Sequence, residues 1–139
     1  MDTPKFTLPK AERLSSKNSI DLLFSKGNSF VVFPFRIVYT FLDSSEQESR
    51  AAMFVSVPKK KFKRAVKRNL IRRRVKEAYR LNKQILLPVL EEQDKHIAIA
   101  FLYLDREVRQ YDSIESKMKE LLSQLTAKIK EQKPVETPE

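Results

Sequence analysis

Hydrophobic and polar positions recur with two different periods along the chain, and the changes of period mark its elements. From about Ser16 to Lys26 the apolar residues Ile20, Leu23 and Phe24 fall at helical spacing. Gly27 follows where a helix C-terminus favours a left-handed residue, so a short first helix is predicted. Phe30 to Leu42 is dense in β-branched and aromatic residues, with Phe33, Phe35, Ile37, Tyr39 and Phe41 alternating against Val32, Arg36, Val38 and Thr40. This predicts one strand, with Pro34 at an edge or a bulge and with Phe33, Phe35 and Phe41 in the core. The polar stretch 43–49 then acts as the long loop of a hairpin, leading to a second strand over about Arg50 to Val57 that Pro58 ends.

A helix follows over about Lys63 to Asn82, and beyond the break at Pro88 comes a third strand, His96 to Leu104. The near-continuous apolar character of that strand predicts burial on both faces and a central place in the sheet. The last helix has Asp112 and Glu115 in capping-box spacing and a stripe of Ile114, Met118, Leu121, Leu122, Leu125 and Ile129. Residues 1–14 read as an extended arm and 133–139 as a frayed tail, leaving 15–132 as one domain. The order αββαβα predicts a single-domain α+β sandwich, a sheet with helices packed on it.

A length of 139 residues fits one compact domain and excludes a multidomain enzyme. The absence of Cys excludes disulfides, thiolate metal sites and Cys nucleophiles, and it fits a reducing, cytoplasmic setting. No apolar run approaches the roughly 18 residues of a membrane span, and the opening Met-Asp-Thr-Pro-Lys lacks a secretory pattern. The expectation is a protein that stays where it is made, with no membrane partner.

Charge changes the picture most. The net charge is +10, yet the segment from Lys59 to Arg80 holds twelve basic residues and one acid, so the other 117 residues sum to −1. A block of like charge repels itself and makes folded sense chiefly when an anion neutralises it. At 100° per residue, Asn69, Arg72, Arg73, Lys76 and Arg80 share an arc of about 100°, while Ile71, Val75, Ala78 and Tyr79 form a separate apolar arc. One helix therefore has a core side and an anion side. Guanidinium groups grip phosphates through two donors, so the arc suits a nucleic-acid backbone. The run Lys59, Lys60, Lys61, Lys63, Arg64 precedes the helix, where cations oppose its dipole and are hard to explain as stabilisers. The predicted RNA-binding set is this run together with Lys67, Arg68, Asn69, Arg72, Arg73, Arg74, Lys76 and Arg80.

The stretch Phe54-Val55-Ser56-Val57-Pro58-Lys59-Lys60, followed by Ala65-Val66-Lys67-Arg68-Asn69-Leu70-Ile71-Arg72-Arg73-Arg74-Val75-Lys76-Glu77-Ala78-Tyr79-Arg80, resembles the protein subunit of bacterial ribonuclease P. Arg13-Leu14, Phe24-Ser25-Lys26-Gly27 and Tyr39-Thr40 agree with it, and the resemblance spans about residues 13–125. It departs at Leu70, where the family usually has a third basic residue, and at Lys63-Arg64, where it usually has Gly-Asn. The resemblance implies an α-β sandwich with an unusual left-handed βαβ crossover. It also implies a holoenzyme that cleaves the 5′ leader from precursor tRNA, with the chemistry in a large RNA subunit that binds Mg2+. This chain would be a protein monomer within that complex, its partners the ribonuclease P RNA and precursor tRNA. By position, Ile20, Phe24, Ile37 and Tyr39 would line the cleft for the single-stranded leader. An aromatic strand face beside a cationic helix suits single strands, with bases on rings and phosphates on arginines.

No catalytic or metal-ligating set is visible in the chain itself. His96 is a lone histidine, the carboxylates Glu91-Glu92 and Asp43/Glu46 sit in loop-like stretches, and one Gly cannot make a phosphate-cradling loop. The alternative from another class is a basic structural RNA-binding protein of ribosomal type, with the same phosphate arc and no leader cleft. A duplex-DNA regulator lacks a turn-and-recognition helix pair.

Overall fold

The computed structural model describes residues 17–42 and 50–131. The arm 1–14 and the tail 133–139 of the sequence reading lie outside these residues. Eight principal elements follow in order: α1 (Lys17–Lys26), β1 (Asn28–Val32), β2 (Phe35–Leu42), β3 (Ala51–Ser56), α2 (Ala65–Asn82), α3 (Leu87–Glu92), β4 (His96–Tyr103) and α4 (Tyr111–Glu131), with a 3-10 turn at Lys83–Ile85 after α2. The strands form one sheet in the order β1-β2-β4-β3. The α+β sandwich is as predicted, and three of its local expectations need correction.

The stretch from Phe30 to Leu42 is not one strand. The chain reverses at Phe33-Pro34, and β1 and β2 pair antiparallel with Val32 opposite Phe35 and Asn28 opposite Tyr39. Pro34 has no N–H for a ladder and sits in the turn, where its carbonyl accepts from Leu104 N–H at 2.7 Å. The expected hairpin between the second and third observed strands does not exist either. β4 lies between them, antiparallel to β2 and parallel to β3. Apolar on both faces, β4 takes an interior position, and β3 reaches it only through the crossover that carries α2 and α3.

The third correction concerns Gly27, whose φ is not positive. Its N–H continues the helical ladder to Leu23 O at 2.8 Å. A Cβ there would lie 2.4 Å from that carbonyl and 2.8 Å from Val38 Cγ1, so the glycine permits α1 to run close over β2. Two smaller adjustments follow at the other helices. α3 forms around Pro88, which occupies the first turn of that helix rather than a break. α4 begins at Tyr111, which places Asp112 in the first turn instead of at the cap, and Glu115 accepts from Asn82 Nδ2 at 3.0 Å.

The sheet separates two unequal layers. Phe35, Ile37, Tyr39, Met53, Val55, Ile97, Ile99, Phe101 and Tyr103 face α2, α3 and α4 in one large core, joined by Ile71, Val75, Ala78 and Tyr79 of α2 and by the predicted stripe of α4. Phe35 packs edge-on against Phe101 and Tyr103, with centroids 6.4 and 5.9 Å apart. On the opposite face, among the described residues, Leu23 of α1, Val38, Ala98 and Ala100 form a small buried cluster.

Candidate nucleic-acid interface

The length and side of α2 follow from its sequence. Ile71, Val75, Ala78 and Tyr79 are buried, and the arc through Asn69, Arg72, Arg73, Lys76 and Arg80 is exposed or half-buried. The guanidinium groups are gathered on one outward side as the periodicity predicts, but they are not all equally available. Arg80 clasps Glu77 through Nε–Oε1 at 3.0 Å and Nη2–Oε2 at 2.6 Å. Hydrogen bonding to Arg80 holds the Glu77 carboxyl below its ordinary pKa, against a smaller desolvation effect. Arg80, assigned from sequence to RNA, is therefore already paired with an acid of its own helix. Arg72 donates to Asn69 Oδ1 at 3.0 Å, which fixes both side chains on the arc.

Other cations of the block serve the fold. Arg68 donates to the carbonyls of Phe62 and Lys63 at 2.8 and 2.9 Å, folding the run before α2 back onto the helix. Arg74 donates to Arg109 O at 2.6 Å and fastens the segment after β4 to α2, and Lys61 Nζ donates to Leu104 O and fastens it to the turn before α2. Among the described residues, the side chains of Lys59, Lys60, Lys63, Arg64, Lys67, Arg73 and Lys76 donate to no other side chain or carbonyl. The start of α2 adds to this charge, since Arg64 at the N-cap makes no side-chain cap bond and the first turn has no acid.

Two open grooves flank α2. The first, of about 620 Å³, runs along Lys61, Lys63, Arg64 and Lys67 to Arg106, Glu107 and Val108. The second, of about 610 Å³, is lined by Arg73, Arg74, Lys76, Glu77, Arg80 and Tyr111. Leu70 borders both, so the position where the resemblance expected a basic residue is the apolar ridge between two cationic grooves. Burial, with the Glu115 and Glu77 carboxylates nearby, raises the Tyr111 pKa, so its hydroxyl stays protonated beside the second groove. Sequence reasoning missed Arg106, which lies outside the dense run and joins the groove only through tertiary folding.

The leader-cleft residues divide between the two faces of the sheet. Ile20 is half-buried on α1, and Phe24 is 46 % exposed there. Ile37 and Tyr39 are 0 % and 3 % exposed in the core on the other face, so they cannot line a cleft beside α1. The reason is parity: α1 packs on the face of Val38, and odd positions of β2 point away from it. Tyr39 instead packs edge-on against Phe30 and Phe41, and burial raises its pKa. The surface beside α1 is made by Val31, Arg36, Val38, Thr40, Phe54 and Leu102, with Ala98 and Ala100 as a low floor. Val31 is 52 % exposed.

Among the described residues no group of three or more His, Cys, Asp or Glu side chains could hold a metal ion, and no helix is long and apolar enough to cross a membrane. These features define a class of protein, a small α+β sandwich whose positive charge is concentrated on one crossover helix and its approach. The particular family follows from comparison with known proteins. Residues 8–126 match the family model described as Ribonuclease P. A ribonuclease P protein component of Porphyromonas gingivalis is 41 % identical over 126 residues, 91 % of each chain. That of Chlorobaculum tepidum is 36 % identical over 105 residues, 71 % of this chain and 68 % of the relative. The chain belongs to the ribonuclease P protein family. Solved structures share the fold: the RNase P protein of Staphylococcus aureus (TM-score 0.65, 20 % identity, 84 % of this chain and 96 % of that one) and that of Thermotoga maritima (0.64, 22 %, 81 % and 96 %).

Proposed function

We propose that this chain is the protein component of a ribonuclease P, holding the catalytic RNA with its basic grooves and the 5′ leader of precursor tRNA on the sheet face beside α1. The observation that carries the reading is the set of seven cations around α2 whose side chains donate to nothing among the described residues. Within the protein their mutual repulsion is uncompensated; phosphates neutralise it and release counterions. Arg68, Arg72 and Arg74, tied to carbonyls and to Asn69, position the grooves. Arg80 keeps its second-groove place while paired with Glu77.

For the leader, Phe24 and Val31 offer apolar surface to bases, and Arg36 offers a cation to the backbone. In this reading the chemistry, with its Mg2+, resides in the RNA subunit, and the protein supplies no catalytic group. The complex works in the cytoplasm with one copy of this protein. The experiment is reconstitution with a ribonuclease P RNA at low Mg2+ and assay of precursor tRNA cleavage. Stimulation over RNA alone is expected, and its absence would favour a purely structural RNA-binding role.

A further inference from the structure

The turn between β1 and β2 and the segment after β4 bring together a ring and a fixed cation that the reading above leaves unused. Phe33, expected in the core from its place in the aromatic alternation, is 50 % exposed at the turn. The Arg109 guanidinium lies over its ring, 5.2 Å from the centroid. Its Nε donates to Asp105 Oδ2 at 2.7 Å and its Nη1 to Ser113 Oγ at 3.0 Å. The turn is tied to the same segment through Pro34 O and Leu104 N. Ring and cation are thus each positioned by bonds other than their mutual contact. Among the described residues no second ring stacks on Phe33.

A single exposed Phe is ordinary on a protein surface; its setting is what distinguishes this one. Leu104, which bonds the turn, also accepts from Lys61, and Arg74 donates to the backbone of Arg109. Phe33 therefore stands at the end of the segment whose Arg106 borders the first basic groove. Asp105, the carboxylate bonded to this assembly among the described residues, is neutralised by Arg109. An open π-face backed by a cation, beside phosphate-directed charge, matches one chemistry: a base stacked on the ring with its backbone running into the groove.

The geometry points to Phe33, backed by Arg109, as a stacking platform for one unpaired nucleobase of the RNA that the first groove binds. This inference rests on the RNA-binding reading above. The chain has no Trp, so a Phe33→Trp variant carries a single indole reporter at the platform, excited selectively over the Tyr side chains. Its emission should be quenched on titration with the ribonuclease P RNA, and Phe33→Leu, apolar but without a ring, should bind that RNA about 5- to 150-fold more weakly. Precursor tRNA is titrated in a parallel arm, and quenching there alone would place the base on the substrate and overturn the assignment to the groove-bound RNA. Arg73→Ala serves as the control for the grooves. If it weakens RNA binding while Phe33→Leu does not and the reporter stays bright, the platform falls and the RNA-binding reading stands. If the wild-type chain fails to bind the RNA, both fall. A reporter that responds to protein concentration without RNA would assign the ring to a second copy of the chain and overturn the proposal.

Discussion

On one face of the sheet, Phe35, Ile37, Tyr39 and Phe101 are closed off by α2, α3 and α4; on the other, among the described residues, the helix over Val38, Ala98 and Ala100 is the ten-residue α1. The first face has large side chains on both sides of the contact and makes a core. The second has alanines on its central strand and leaves Phe24 and Val31 about half exposed. Small residues under a short helix leave apolar and cationic groups uncovered at its border, which a core would not tolerate. The aromatic density of β2, which suggested a binding face, belongs to the covered side instead.

Substitution can break this contrast, and the largest effect should come from the covered face. Phe101→Ala should cost about 3–5 kcal/mol in urea unfolding, and Tyr39→Ala nearly as much, because each empties fully packed space. A Tyr39→Ala variant of unchanged stability that loses leader-bearing substrate would restore Tyr39 to a cleft. Gly27→Ala should destabilise by about 1–3 kcal/mol, since its Cβ must push α1 off Val38 and β2.

Phe24→Ala tests the other face. Stability should stay within about 0.5 kcal/mol, while binding of precursor tRNA with a leader should weaken by about 1–3 kcal/mol relative to substrate without one. Equal losses for both substrates would remove the leader from this face. Arg73→Ala should leave the fold intact and lower the slope of log affinity against log salt by about one, the signature of one phosphate contact. Arg80→Ala should lower it less, because its guanidinium is already paired with Glu77.

The smallest effect concerns the segment that fastens α4. Hydrogen bonding from Arg109 holds the Asp105 carboxyl below its ordinary pKa. A depressed carboxylate stabilises the fold above its unfolded pKa, and that contribution disappears as pH falls through the folded value. The melting-temperature gap between wild type and Asp105→Asn should therefore narrow as pH drops from about 6 to about 2.5. A gap that stays constant would show that the pair contributes nothing through ionisation.

Much of this was legible in the chain. The helical period of Ile71, Val75, Ala78 and Tyr79 located both faces of α2, and the continuous apolar run of β4 located its interior position. Local pattern failed where a turn interrupted a run of one character. Nothing in Phe30 to Leu42 changes period at Phe33-Pro34, so one strand was expected where two pair. That same turn removes Phe33 from the core to which its alternation assigned it. Parity within β2 was readable, but which parity faces α1 depends on where α1 docks, and Gly27 permits that docking through contacts with Val38 that no spacing reveals.

Composition and period alone determined a small α+β protein with one cationic helix, because charge and amphipathicity are properties of neighbouring residues. Only tertiary structure decided which cations are spent on carbonyls and on Glu77, which remain open, and that Arg106 joins the open ones from the far side of β4. Availability of a charge depends on what lies within about 3 Å of it, and that distance is set by packing rather than by sequence order.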